Sequence, residues 1–270
     1  MTSTPDAPNA RPDDTAAAAS RIPRIRAWLF DLDGVLTPTA DVHRHAWSRL
    51  FTPFLEATGA EPYSETDYFA HIDGKPRYDG VRSLLRSRGI HLPEGEVSDG
   101  PDADTVHGLG NRKNIVFTST LHEEGVAPYP ATVAFLDALA DRGAAVAVVS
   151  SSKNARPVLA AAGLADRFEI VVDGAVAAAD GIPGKPAPDT YERAAELLGV
   201  PTSACAVVED AESGVQAGAA GDFGLVVGVD RGVGRDALLR LGADLVVDEL
   251  DELVPFLAAP STPDSGEDRA

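Results

Sequence analysis

The sequence predicts an α/β fold: a parallel sheet covered by helices on both faces, with one all-helical domain inserted near its start. Three observations carry this. Short apolar runs without polar alternation, among them Trp28-Leu29-Phe30, Ala144 to Val149 and Ala204 to Val208, read as strands buried on both faces. Segments with apolar residues at helical spacing alternate with those runs, the pattern of β-α units and a parallel sheet. From Asp41 to about Glu124 that alternation stops and only helical patterns occur.

Residues 1–22 are rich in Ala, Pro, Asp, Ser and Thr and read as a disordered tail. Ile25 to Phe30 is the first strand. It runs into Asp31-Leu32-Asp33-Gly34, two acids one residue apart followed by a turn-permitting glycine. Val42, Ala46, Leu50 and Phe54 then recur at helical spacing. Tyr68-Phe69-Ala70 leads into a turn containing Gly74, Lys75 and Pro76. Val81, Leu84 and Leu85 mark a second helix ending at Gly89, and Thr105 to Leu121 a third. Pro93 to Asp104 between them is a polar, acidic loop. Strand and helix then alternate: helix Thr132–Leu139, strand Ala144–Val149, helix Ala155–Ala162, strand Phe168–Val172, helix Thr190–Leu198, strand Ala204–Val208, helix Ser213–Ala220, and late strands at Phe223–Val229 and Leu245–Val247. The expected division is a Rossmann-like parallel-sheet core at 23–40 and 125–258, a helical cap domain at 41–124, and a second disordered tail at 259–270.

Composition narrows the function. A net charge of −19 excludes a nucleic-acid partner, because phosphate backbones repel an acidic surface. No apolar run approaches the ~20 residues that span a bilayer, and the N-terminus lacks a basic-then-apolar signal pattern. The lone Cys205 leaves no intramolecular disulfide and no cysteine-rich zinc site. A cytoplasmic monomer without a membrane partner is expected.

In parallel sheets the reactive groups gather beyond the carboxyl ends of the strands. Three strands deliver such groups here: Asp31 and Asp33, Ser150 to Asn154, and Glu209 with Asp210. Lys185, in a loop before a helix, can reach the same rim. Acids from two strands can enclose a Mg²⁺ ion. A carboxylate can attack phosphorus, with Lys185, Ser150 and backbone N–H groups cancelling charge. A second acid can then move the proton.

These residues, in this order, are similar to the haloacid dehalogenase-like superfamily of phosphatases and phosphomutases. Asp31-Leu32-Asp33-Gly34-Val35-Leu36-Thr37 matches its first motif, Ser150 its second, Lys185-Pro186 its third and Glu209-Asp210 its fourth. The resemblance implies Asp31 as nucleophile and Asp33 as acid/base. It implies Mg²⁺ held by Asp31, the Asp33 carbonyl, Glu209 and Asp210. Within the superfamily the cap resembles the β-phosphoglucomutase subgroup, which interconverts β-glucose 1-phosphate and glucose 6-phosphate through a bound bisphosphate. The residues carrying that likeness are Thr39, His43, Gly74, Lys75, Arg77, Lys113, Ser152, Lys153 and Asn154, which the resemblance makes substrate-binding. Sugar phosphates and a sugar bisphosphate are the partners implied. The chain departs from the pattern at Pro38, in the acidic loop, and in a third-motif region lengthened by Gly181-Ile182-Pro183-Gly184.

Overall fold

The computed structural model describes residues 12–257. Six parallel strands form one sheet in the order β3-β2-β1-β4-β5-β6: β1 is Ala27–Phe30, β2 Ala145–Val149, β3 Ile170–Val172, β4 Cys205–Glu209, β5 Leu225–Val229 and β6 Leu245–Val247. β1 lies between β2 and β4, with Phe30 opposite Val148 on one side and Val208 on the other. The strand order reverses direction between β1 and β4, so the crevice at their carboxyl ends is where such a sheet binds ligands.

Successive side chains of β1 point to opposite faces and both faces are covered. Trp28 and Phe30 pack with Phe135 and Phe168 on one face, Trp28 meeting the Phe135 ring edge-on at 4.9 Å. Ala27 and Leu29 face Tyr191, Ala194 and Val207 on the other. An apolar run with no polar alternation is what two covered faces demand.

Between β1 and β2 the described chain is helical. Helix Thr39–Thr58, a turn of π-helix at Tyr68–Ile72, helix Arg77–Ser87 and helix Val106–Glu124 enclose their own apolar cluster, with Phe51, Leu55, Val81, Leu84 and Leu109 at its centre. Thr105 caps the last of these helices by accepting the Gly108 N–H at 2.9 Å.

The structure corrects the sequence expectations at three places. Part of the supposed tail is ordered: helix Pro12–Ala19 and a 3₁₀ turn at Ile22–Arg24 bury Ala18, Ala19 and Ile22 in the main core. Arg21 fixes the segment through Asp244 (2.7 Å) and the Gly224 carbonyl (3.0 Å), partners too distant in sequence to be read locally. Helix Gly174–Asp180, capped by Asp173, and helix Arg235–Arg240 are additional. Both are short, at seven and six residues, which leaves fewer than two turns to show a period. The rest of the N-terminal tail and the tail at 259–270 lie outside the described residues. Among the described residues no helix is long and apolar enough to cross a membrane.

Candidate active site

The acids after β1 and β4 meet at the crevice. One carboxylate oxygen from each of Asp31, Glu209 and Asp210 lies within 4.8 Å of the others, and all three residues are buried. Gly34 makes this approach possible. Its φ is 91°, and a Cβ there would stand 1.9 Å from Asp210 Oδ2.

Lys185 is threaded into the cluster. Its Nζ donates to Asp31 Oδ1 (2.5 Å), Glu209 Oε1 (2.6 Å) and the Val149 carbonyl (3.0 Å), which uses all three of its protons. Burial works against its charge, but Asp31 and Glu209 carry its pKa well above the lysine value. Glu209 also accepts from the Tyr191 hydroxyl (3.1 Å) and, on Oε2, from the Ala211 N–H (2.9 Å). Burial holds the pKa of Asp31 well above the ordinary carboxylate range, with Lys185 opposing it. Asp210 is raised in the same direction by burial and then by Asp73, Glu209 and Asp31. Several buried acids with one lysine among them leave negative charge uncompensated. A hard divalent cation fits such a donor set, since it takes carboxylate oxygens and relieves the repulsion.

Asp31 and Asp33 do not share one partner set. Asp33 turns to the helical domain: Thr39 Oγ1 donates to Asp33 Oδ1, and Thr37 and Thr39 hydroxyls bond each other at 2.8 Å. His43 Nε2 stands 3.5 Å from the same carboxylate oxygen. On the far side of the ring, His43 Nδ1 meets Lys113 Nζ at 2.6 Å. When Lys113 is charged it only donates, so Nδ1 accepts; at 3.5 Å from Asp33, Nε2 makes no hydrogen bond. Lys113 is 2 % exposed and sits over the Phe117 ring at 4.7 Å and the Trp47 ring at 5.1 Å. Burial and then Arg77 hold its pKa well below the lysine value, while burial followed by Lys113 and Arg77 depresses His43. Burial raises Asp33, with Thr39 and Lys113 opposing.

The remaining predicted residues divide. Asp31, Asp33, His43, Gly74, Lys75, Arg77, Lys113, Ser150, Ser152 and Asp210 all line one cavity between the helical domain and the sheet. Ser150 Oγ accepts the Ser152 N–H at 3.1 Å, which folds the loop after β2 into place. Lys75 Nζ reaches the Ala70 carbonyl at 3.2 Å. Arg77 donates to the Asn114 amide oxygen at 2.7 Å, which also takes the Asn154 amide at 2.8 Å. Thr39 is fully buried and spends its hydroxyl on Asp33; the structure places it behind the acid, away from the cavity wall. Asn154 too is outside that wall, and Lys153 lines a neighbouring cavity.

Sequence reasoning gave no site role to Asp73, Tyr68 or Arg231. Asp73 lines the cavity opposite the acid cluster, bonded to the Tyr68 hydroxyl; burial raises its pKa to about 6. Its place next to Gly74 was the available signal. Arg231 donates from Nε to the Gly34 carbonyl (2.9 Å), is clamped by both oxygens of Glu249 (2.8 and 3.0 Å), and stacks 4.2 Å from the Tyr129 ring centre. No local pattern announces a partner 197 residues away. Gly232 and Gly234, which mimic a dinucleotide fingerprint in sequence, spend their N–H groups on Asp230 at 3.0 Å.

Comparison with known proteins gives a consistent picture. The haloacid dehalogenase-like hydrolase family matches residues 25–222. A β-phosphoglucomutase of Mycobacterium bovis is 50 % identical over 243 residues, 86 % of this chain and 92 % of that protein. A β-phosphoglucomutase of Bacillus subtilis is 31 % identical, over 84 % of this chain and 95 % of that one. A crystal structure of β-phosphoglucomutase from Clostridium difficile superimposes with a TM-score of 0.69 at 26 % identity, covering 85 % of this chain and 93 % of that one.

Proposed function

The chain belongs to the haloacid dehalogenase-like hydrolase family, and from that premise we propose that it is a Mg²⁺-dependent phosphomutase interconverting β-glucose 1-phosphate and glucose 6-phosphate. The observation that carries the reading is a cavity with two unlike ends. One end holds Asp31 and Asp210, with Lys185 and Glu209 bonded behind them; the other holds the Arg77 guanidinium, which has no carboxylate partner among the described residues. A mutase needs both, since its intermediate carries a phosphate at each end and Arg can take the distal one in a two-pronged bond. The half-identical β-phosphoglucomutase of M. bovis supports the choice of sugar.

Asp31, Glu209, Asp210 and the Asp33 carbonyl would hold the Mg²⁺ ion. When bound, the ion supplies charge neutralisation to the carboxylates and to the phosphoryl oxygens. The protein's own groups do the rest. An Asp31 oxygen forms a bond to phosphorus as the bond from phosphorus to the sugar oxygen breaks, and Asp33 gives its proton to that departing oxygen. In the complementary step Asp33 takes the proton from the free hydroxyl of a sugar monophosphate while that oxygen attacks the aspartyl phosphate, which forms the bisphosphate and frees Asp31. Thr39 and His43 orient Asp33. Lys185, held by Glu209, fixes Asp31 and cancels charge on it. Ser150 and the backbone N–H groups after it would hold the remaining phosphoryl oxygens.

The test mixes protein, Mg²⁺, β-glucose 1-phosphate and a trace of the 1,6-bisphosphate, and measures glucose 6-phosphate and free phosphate together. Isomer formation well ahead of phosphate release is expected, and its loss in Asp31→Asn. Phosphate release without isomer would make the protein a sugar-phosphate phosphatase instead.

A further inference from the structure

The acid cluster leans on a turn that lies outside any helix or strand. Gly34 has no side chain to anchor it, and a Cβ there would stand 1.9 Å from Asp210 Oδ2, so a small movement of the turn displaces that carboxylate. The peptide between Asp33 and Gly34 has a second duty, because its carbonyl is one of the groups assigned to the cation. In a trans peptide the N–H and the C=O point opposite ways. The Gly34 N–H donates to the Thr37 carbonyl at 2.8 Å, and that bond therefore also sets the direction of the Asp33 carbonyl. It fixes only one side of Gly34.

Arg231, two residues past β5, holds the other side. Its Nε donates to the Gly34 carbonyl at 2.9 Å, and among the described residues no backbone N–H reaches that oxygen. The arginine is itself immobilised. Nη1 donates to the Asp248 carbonyl (2.9 Å) and to Glu249 Oε1 (2.8 Å), and Nη2 to Glu249 Oε2 (3.0 Å). Four of its five N–H groups are thus spent. Glu249 is steadied in turn, its own N–H donating to Glu252 Oε1 at 2.8 Å where the 3₁₀ turn Leu250–Leu253 begins. The Tyr129 ring covers the guanidinium at 4.2 Å. Tyr129 stands where the chain returns from the helical domain, and its N–H is bonded to the Leu36 carbonyl at 3.2 Å. A planar guanidinium held on its edges and one face presents Nε in a single place. An arginine that only balanced surface charge would need none of this.

We propose that Arg231 is a positioning residue for the cation site: by holding the Gly34 carbonyl it fixes the turn that aims the Asp33 carbonyl and backs Asp210. The proposal rests on the Mg²⁺ reading of the acid cluster. Arg231 acts through Gly34 and touches neither ion nor sugar. Charge and position make opposite demands here. Arg231 and Asp210 border one cavity, so removing a positive charge beside the acids would, on Coulomb attraction alone, strengthen cation binding. Removing the positioning bond weakens it, and the sign of the effect separates the two roles.

The experiment titrates the full chain with Mn²⁺ as a paramagnetic substitute for Mg²⁺. Electron paramagnetic resonance reads the free ion, and Mg²⁺ is then added as competitor. Arg231→Gln and Arg231→Lys are compared with Arg235→Gln, an arginine of the same rim that bonds the Val246 carbonyl and pairs with Asp248 without reaching Gly34. Arg231→Lys keeps a charge opposite Glu249, so it carries the test if Arg231→Gln does not fold. Binding weakened about 10-fold is expected in both Arg231 variants, the size usual for groups that orient a metal's ligands, with Arg235→Gln unchanged. Turnover lost at low Mg²⁺ should return as Mg²⁺ is raised, with KM for the sugar phosphate then as in the parent. Equal or tighter Mn²⁺ binding in the Arg231 variants would overturn the proposal, and so would an equal weakening in Arg235→Gln, which would mean general loosening of this rim. A parent protein that binds no Mn²⁺ would overturn the cation reading itself.

Discussion

At the scale of the residue, the site is a problem in burying negative charge. Asp31, Asp33 and Asp210 are all pushed upward in pKa, first by burial. Asp73 adds a further acid from the helical domain, with its pKa raised to about 6, first by burial and against the Tyr68 hydrogen bond. A raised carboxyl pKa means the folded state binds a proton that the unfolded chain, titrating near 3.8, has lost. Asp73 therefore favours folding only at low pH, and that contribution disappears as pH rises through about 6. Asp73→Asn should be more stable than the parent at pH 8 by about 1–3 kcal/mol, and the gain should vanish below pH 4. Urea unfolding in EDTA at both pH values measures this; equal stabilities at pH 8 would show that Asp73 carries no such penalty. The charges of Asp31, Asp33, Glu209 and Asp210 were legible in the sequence because they cluster at the carboxyl ends of two apolar runs. Asp73 was not, because what makes it unusual is the acid cluster opposite, assembled from residues up to 137 positions away.

At the scale of the element, strands were read within a residue or two because burial on both faces leaves an unbroken apolar run. β2 and β4 differ from expectation by one residue at the start, and β3 by two. Helices with an apolar stripe were read equally well. Helix Pro12–Ala19 was not, since alanines alone do not distinguish a solvated tail from a packed helix. One helix is tied to the chemistry by contact rather than by sequence pattern. Helix Glu212–Ala220 lies so close to Glu209 that a Cβ on Gly214 would stand 1.7 Å from Glu209 Oε1, the oxygen that holds Lys185. Gly218, one turn on, meets only the methyl groups of Val207 and Val226 at 3.1 Å. Gly218→Ala should be close to neutral, because ~1 kcal/mol of helix propensity offsets mild overpacking. Gly214→Ala should cost ~2–3 kcal/mol and most of the turnover, because Glu209 must leave Lys185 to make room. Thermal unfolding and isomer formation on the pair decide it, and equal effects would refute the close-approach argument.

At the scale of the whole molecule, the helical insertion has an apolar cluster of its own, while Ala46, Phe117 and Leu121 at the roots of its first and last helices join the core of the sheet. What joins insertion and sheet near the site is a handful of hydrogen bonds: Ser151 Oγ to the Gly74 carbonyl (2.7 Å), Ser213 Oγ to the Asp73 carbonyl (3.2 Å), and the Asn154 amide to Asn114 (2.8 Å). Such bonds contribute ~0.5–1.5 kcal/mol each, enough to bias a seam and too little to hold two cores rigidly. The sequence showed that an insertion existed but not how it closes, because each bond spans tens of residues between a serine or asparagine and a backbone or amide oxygen. Closure excludes water from Asp31, so a looser seam should let water compete with the sugar for the phosphoryl group. Removing both serine bonds, in Ser151→Ala/Ser213→Ala, weakens closure by ~1–3 kcal/mol, or about 5- to 150-fold. The double variant is expected to raise KM for the sugar phosphate and to increase free phosphate relative to isomer. Its thermal stability should barely move, since neither apolar core loses a contact. An unchanged ratio of phosphate to isomer, at unchanged stability, would show that the seam does not govern access of water to the site.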